Sequence, residues 1–248
     1  MTLTDEHAAE LLQRRSLRDE VFEVLHKRII AGAVPPGGWL RQEEIASQLN
    51  VSQTPVREAL DLLVSAGLAE RVPYRGVRVV ELTAEEIVDA YGLRLLLEPA
   101  AARLAAERAD PAQVESLKRL HERMRGLVTL NDMSALRQLS REFHERIVRA
   151  AGSPLLARLY QMVANNFPDW MLYEAMFHHP EVLDASLTGD QDEHLRLIEA
   201  IAARDPEAAA VAAQTHILEL GKDLQAFLNI PASLLKEKER QFAPFLFS

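Results

Sequence analysis

Three histidines, His144, His194 and His216, fall on three separate helical stretches, and each lies toward the apolar side of its own. His144 shares a face with Leu136, Leu139, Phe143 and Ile147, with Ser140 one turn before it. His194 precedes Leu197 and Ile198 by a turn, and His216 keeps step with Ala212, Ala213 and Leu220. A single inward histidine is ordinarily a core residue hydrogen-bonded to its surroundings. Three imidazoles are also a donor set for Zn, Ni, Cu, Co or Fe, with positions left open for water or a carboxylate. Arg94 supplies a planar fork suited to a ligand carboxylate, against the plainer reading of an ion pair with Glu98 at i+4. Tyr91, one turn earlier, is expected to line the same wall. His178 and His179, adjacent on an irregular segment beside Pro180, diverge in direction and are read as loop.

A second set has a different chemistry. In RQEEIASQLN (41–50) the apolar residues Ile45, Ala46 and Leu49 have the spacing of a short helix with one buried face. Asn50 and Val51 make a turn. In VSQTPVREAL (51–60), Ser52 or Thr54 can cap the next helix, and Pro55 is tolerated in its first turn. Val56, Ala59, Leu60 and Leu63 then face inward, while Gln53, Thr54, Arg57 and Asp61 point away. Two short helices about a tight turn form a helix-turn-helix, whose second helix enters the DNA major groove by its N-terminal end. Gly67 suits a left-handed C-cap. After it, LAERVPYRGVRVVEL reads as two β-branched runs about a Pro73–Gly76 turn, which is a wing. Arg41, Arg57, Arg71, Arg75 and Arg78 place a local basic surface on this unit. An ordinary capped amphipathic helix would explain VSQTPVREAL alone, but not the ordered sequence of helix, turn, glycine stop and hairpin.

These residues resemble the GntR family of bacterial transcription factors, whose recognition segment runs roughly V-S-R-T-P-V-R-E-A-L. Gln53 replaces the usual arginine, and Glu43 stands where some members carry a basic residue. The stretches RLLLEPAAARLA (94–105), SREFHERIVRAAG (140–152) and DEHLRLIEAI (192–201), with His216 twenty-two residues after His194, resemble the FadR-like branch with its small-molecule-sensing FCD domain. The resemblance covers about residues 17–228. It implies a homodimer reading an inverted repeat in double-stranded DNA. Arg57 and Gln53 would then contact bases or nearby phosphates. Ser52, Thr54, Arg41, Arg75 and Gly76 would fix position, with the wing tip in the minor groove. It further implies a divalent transition metal, Zn or Ni, on His144, His194 and His216, and a small carboxylate effector near Tyr91, Arg94 and Ser140. In metal-binding members an aspartate stands one turn before the first histidine, where this chain has Ser140.

Two further readings compete. The three histidines could hold a catalytic metal that activates water, or the cavity could have lost its ligand and left a constitutive DNA-binding protein.

The 248 residues suffice for two domains. There is no cysteine, so there is neither a disulfide framework nor a thiolate metal site, as suits a reducing cytoplasm. No signal peptide or run of 18 apolar residues is visible, so no membrane partner is expected. The net charge of −9 is uneven: residues 1–82 carry 10 Lys+Arg against 12 Asp+Glu (−2), and residues 83–248 carry 18 against 25 (−7). Acidity therefore lies mostly outside the reading head.

The expected fold is mostly α: an N-terminal extension (1–16), a winged helix-turn-helix (17–82), an all-α antiparallel bundle (83–230) and a tail (231–248). Trp39-Leu40 is expected to add a short strand to the wing sheet, and Thr83 with Glu86 to open the bundle with a capping box. Helical breaks are placed at Pro99, Asp110-Pro111, Gly152, Pro168, Pro180 and Asp205-Pro206. The segment about Trp170–Met176 is expected to be less regular, and the next helix to run from Gly189 to Ala203. The tail, with Phe242, Phe245 and Phe247, is expected to dock on its own bundle or fray.

Overall fold

The computed structural model describes residues 16–30, 33–129, 132–165 and 167–245. The N-terminal extension before Ser16, Gly32 and Phe247 lie outside them. Contacts divide the chain between Glu81 and Leu82 into two compact units.

The first unit opens with α1 (Leu17–Ile30), followed by β1 (Trp39–Leu40), α2 (Gln42–Leu49), α3 (Gln53–Ser65), β2 (Ala69–Val72) and β3 (Gly76–Val79). Val21, Leu25 and Ile29 of α1 meet Val56, Ala59, Leu60 and Leu63 of α3 in a closed core, which Leu40, Val77 and Val79 of the sheet complete. The sheet runs β1-β3-β2, antiparallel throughout, with Trp39 opposite Arg78 and Val72 opposite Gly76. Asn50 closes α2 in the left-handed conformation, and the Val51 amide donates to the Ala46 carbonyl. That turn fixes the angle between α2 and α3. Ser52 takes the N-cap position of α3, but no side chain caps this helix. The expected Ser52 or Thr54 cap is thus absent, and the terminal N–H groups and hydroxyls have no partner within the cap. At the other end Gly67, at φ +72°, makes the left-handed exit.

The second unit is helical: α4 (Ala84–Arg108), α5 (Pro111–Met124), α6 (Met133–Ala150), α7 (Pro154–Asn165), α8 (Asp169–Phe177), α9 (Pro180–Ala202), α10 (Pro206–Leu228) and α11 (Ala232–Phe242), closed by a 3₁₀ turn at Ala243–Phe245. Thr83 and Glu86 form the expected capping box, and Asp110 with Gln113 forms another. α4 lies at the centre, packed by α10, α6, α7 and α11. Ile87, Tyr91, Leu95, Ile217 and Leu224 form its main apolar contact with α10.

Three expectations change. Pro99 does not break the chain, because α4 runs through it. Burial on both faces of the turn, from Leu95 and Glu98 to Ala101 and Ala102, outweighs one missing hydrogen bond. α9 begins nine residues before Gly189, with Pro180 in its first turn, where a missing N–H costs nothing. The Trp170 segment is a regular helix, α8, with Trp170, Leu172, Met176 and Phe177 buried.

Candidate functional site

On the first unit, Arg41, Arg57, Arg75 and Gly76 line one open recess, together with Arg71, Glu43 and Glu44. β1 ends at Leu40, next to Arg41 in the N-cap position of α2; α3 supplies Arg57 and the wing supplies Arg75. The Trp39 ring has both the Arg41 and the Arg75 guanidinium 5.1 Å from its centroid. Two charges 34 residues apart in sequence are therefore steadied on one indole. Arg71 is tied instead to Asp61 of α3, which braces the wing against the recognition helix. The exposed Gln53 is not free-standing: its Oε1 accepts from Gln42 Nε2 at 3.1 Å. Gln53, Thr54 and Arg57 are exposed along α3, whose apolar side is wholly buried.

At the wing tip the Arg75 amide donates to the Val72 carbonyl, and Tyr74 sits at φ +63°. Gly76 has φ +116°, and a Cβ there would meet nothing within 4 Å. Its backbone is open to close approach from outside. Tyr74, fully exposed beside Arg75, is a further contact candidate that sequence reasoning passed over. An aromatic at a turn apex with no apolar period around it was its only signal.

The second unit brings the three histidines together. α6, α9 and α10 deliver His144, His194 and His216 to one buried cluster whose nitrogens converge within 4.8 Å. Nε2 of His144 and Nε2 of His194 are 3.3 Å apart. Two nitrogens bound about 2.0–2.1 Å from one tetrahedral ion stand roughly that far apart. The outward nitrogens face carboxylates. His144 Nδ1 donates to Glu98 at 3.0 Å, and His216 Nδ1 donates to Glu193 at 2.9 Å. His194 Nδ1 is buried without a hydrogen-bond partner, 3.6 Å from Asp190. Carboxylates behind imidazoles orient the rings and raise their basicity as metal ligands. Donor types, spacing and backing therefore fit a divalent transition ion.

Charge is arranged accordingly. Burial pulls the His194 pKa well below its ordinary value, and the two neighbouring imidazoles pull the same way. Burial also lowers His144, with Glu98 opposing. For His216 burial is outweighed by Glu193, Asp190 and Glu98, and its pKa is raised. Burial pushes the Glu98 carboxyl up, but Arg94 and His144 overcome it and hold the group well below the usual carboxylate range. Neutral His144 and His194 are the ligand-competent forms.

Beside the cluster lies a cavity of about 80 Å³, lined by Arg94, Ser140, His144, His216, Asp190 and Asp223 among others. Arg94 makes the plainer of its two expected pairings, with Glu98. Its Nε donates to Glu98 at 2.6 Å, and the guanidinium, 4.7 Å from the Phe167 ring centroid, still faces the cavity. Tyr91 is corrected: it is not part of this wall. Its hydroxyl donates to Glu239 of α11 at 2.8 Å, and its ring packs on Gly221 of α10. One turn along α4, 60° of helical rotation carries it from the cavity to the α10–α11 side. His178 and His179 are exposed at the junction of α8 and α9. Sequence reasoning missed Asp190, Glu193 and Arg137. Asp190 stands one turn before His194, which was a legible signal.

A winged helix with a basic recess and an exposed polar recognition face, joined in one chain to a helical sensory unit, defines a DNA-binding transcriptional regulator. Residues 17–79 match the model described as bacterial regulatory proteins, gntR family, and residues 86–219 match the FCD domain. The chain belongs to the GntR family, in its FCD-domain branch, and is a regulator rather than an enzyme. It is 32% identical to a probable D-xylose utilization operon transcriptional repressor of Paenarthrobacter nicotinovorans, over 83% of this chain and 88% of that one. Among solved structures it resembles a putative transcriptional regulator GntR from Rhodococcus sp. RHA1 (25% identity, 86% of this chain and 100% of that one, TM-score 0.58). McbR/YncC of E. coli shares the fold at 24% identity and a TM-score of 0.60, over 86% of this chain and 100% of that one. No helix among the described residues is long and apolar enough to cross a membrane.

Proposed function

We propose that the chain is a cytoplasmic repressor that acts as a homodimer on an inverted-repeat operator and releases or tightens its grip when a small organic acid enters the helical unit. A divalent transition metal, Zn or Ni, would be held by His144, His194 and His216. The ion supplies a Lewis-acidic point for an acid oxygen, and Arg94 offers its guanidinium to the carboxylate. Ser140 contributes a neutral hydroxyl where a carboxylate would compete with an anionic ligand. Gln53, Arg57, Ser52 and Thr54 face the major groove, and Arg41, Arg75 and Gly76 face the backbone and minor groove.

The observation that carries the sensing half is the histidine cluster: three imidazoles converge, two of them hydrogen-bonded to carboxylates, and His144 and His216 line a cavity that also holds Arg94. The name of the Paenarthrobacter relative favours repression. Elemental analysis of protein purified without chelator should find about one metal ion per chain, lost in His194→Ala. Screening organic acids for release of captured operator fragments should identify the effector. Metal in neither protein would remove the ion from the account, and DNA binding indifferent to every acid would remove the sensor.

A further inference from the structure

α6 turns one stripe toward the cavity: Arg137, Ser140, Arg141 and His144, at i, i+3, i+4 and i+7. Two arginines one turn apart repel each other on a helix face, and this face is largely withdrawn from water. The Arg137 side chain is only 9% exposed and that of Arg141 22%. Neither has a carboxylate closer than 3.4 Å among the described ion pairs. The described counter-ion of Arg137 is Asp169, whose Oδ1 is 3.4 Å from Nη1 and also accepts the Trp170 amide at 2.7 Å. Arg141 reaches Glu145 only at 3.5 Å, and its Nη2 donates to the neutral Asn165 Oδ1. Good charge-assisted bonds are about 2.7–2.9 Å long, and Arg94 in the same cavity makes a still shorter one, 2.6 Å, to Glu98. Between the two arginines stands Ser140, in hydrogen-bonding contact with Tyr173. Underpaired guanidiniums withdrawn from water are costly unless an anion completes them.

We infer that Arg137, Ser140 and Arg141 form a second oxyanion cradle, so that the effector carries two anionic groups, one taken by Arg94 at the histidine end and the other by this cradle. The second group is a carboxylate or a phosphate ester. Both present the oxygens that two guanidinium forks and a hydroxyl can bind. This rests on the proposal that the cavity binds an organic acid at Arg94, and it adds the number of charges and the place of the second. A monoacid would leave Arg137 as underpaired as it is now.

The test is isothermal titration of the full-length protein, at fixed metal content, with three probes: succinate, 3-phosphoglycerate and butyrate. At least one dianion should bind roughly 10–100-fold more tightly than butyrate, the range expected of one added charge-assisted contact. The better of the two distinguishes carboxylate from phosphate. Arg137→Met should lower dianion affinity to that of butyrate and leave butyrate unchanged, whereas Arg94→Met should weaken both. Arg141→Met, at the more exposed end of the cradle, should reduce the same preference and serves if Arg137→Met fails to fold. Butyrate binding as tightly as both dianions in the wild type, or a preference that survives both cradle substitutions, overturns the inference while leaving the Arg94 site standing. If no acid binds, and Arg94→Met changes nothing, the sensing proposal falls and the cradle with it.

Discussion

Replacing Trp39 with leucine should weaken operator binding without unfolding the head. The indole lies 5.1 Å from both the Arg41 and the Arg75 guanidinium. Partly exposed cation–π contacts contribute ~0.5–1 kcal/mol each, so losing both removes ~1–2 kcal/mol of organisation from one head. That corresponds to about 5–30-fold in affinity per head, and about the square of that on a site engaging two heads. Leucine keeps an apolar side chain on β1 and leaves the backbone pairing with Arg78 intact, so the melting temperature should barely move. Trp39→Phe, which retains a ring face, should recover most of the affinity. The assay is fluorescence anisotropy of labelled operator over a salt series. Both arginines remain, so the slope of log K against log salt should stay at its wild-type value while the whole line drops. Wild-type affinity in Trp39→Leu would refute the reasoning. A shallower slope, the signature of a lost phosphate contact, would assign the loss to something other than organisation.

Two further perturbations probe the helical unit. In Gly221→Ala the new Cβ would stand 2.7 Å from the buried Tyr91 hydroxyl. This should destabilise the protein by ~1–3 kcal/mol in urea, and wild-type stability would show that the α4–α10 contact is looser than described. Burial, and after it the charges of Asp190, Glu193 and Glu219, push the Asp223 carboxyl up to about 7. Between roughly pH 4, where it titrates in the unfolded chain, and pH 7, the native group keeps a proton that the unfolded one has lost. Its contribution is therefore most favourable at low pH and declines as pH rises toward 7. Asp223→Asn removes that decline, so in metal-stripped protein its melting temperature should gain on the wild type across this interval; parallel curves would contradict the assignment.

Much of the first unit was legible because its signals are local. The Asn50 turn, the Val56–Leu63 stripe, Gly67 and the Pro73–Gly76 hairpin each follow from steric preference or period, and together they admit one arrangement. The missing side-chain cap on α3 was not legible, because Ser52 in the N-cap position does not decide whether its hydroxyl turns inward. In the second unit, period alone placed the histidines on inward faces. It did not separate Tyr91 from Arg94, since both are buried on α4 and only the packing of α10 and α11 decides which meets the cavity. Pro99 misled because a local rule was outweighed by burial on both sides. Glu98 was read only as a partner for Arg94. Its bond to His144, 46 residues away, depends on tertiary placement that no spacing encodes.

The most direct test of the central claim, that the exposed side of α3 and the adjoining wing read DNA, is anisotropy of Arg57→Ala on an operator selected by the wild-type protein, beside a scrambled duplex. Arg57 lines the recess with Arg41 and Arg75, and α3 buries only its opposite face. The account predicts an unchanged melting temperature, with preference for the operator over the scrambled duplex falling ~10-fold or more. Undiminished preference in a folded Arg57→Ala protein would contradict it.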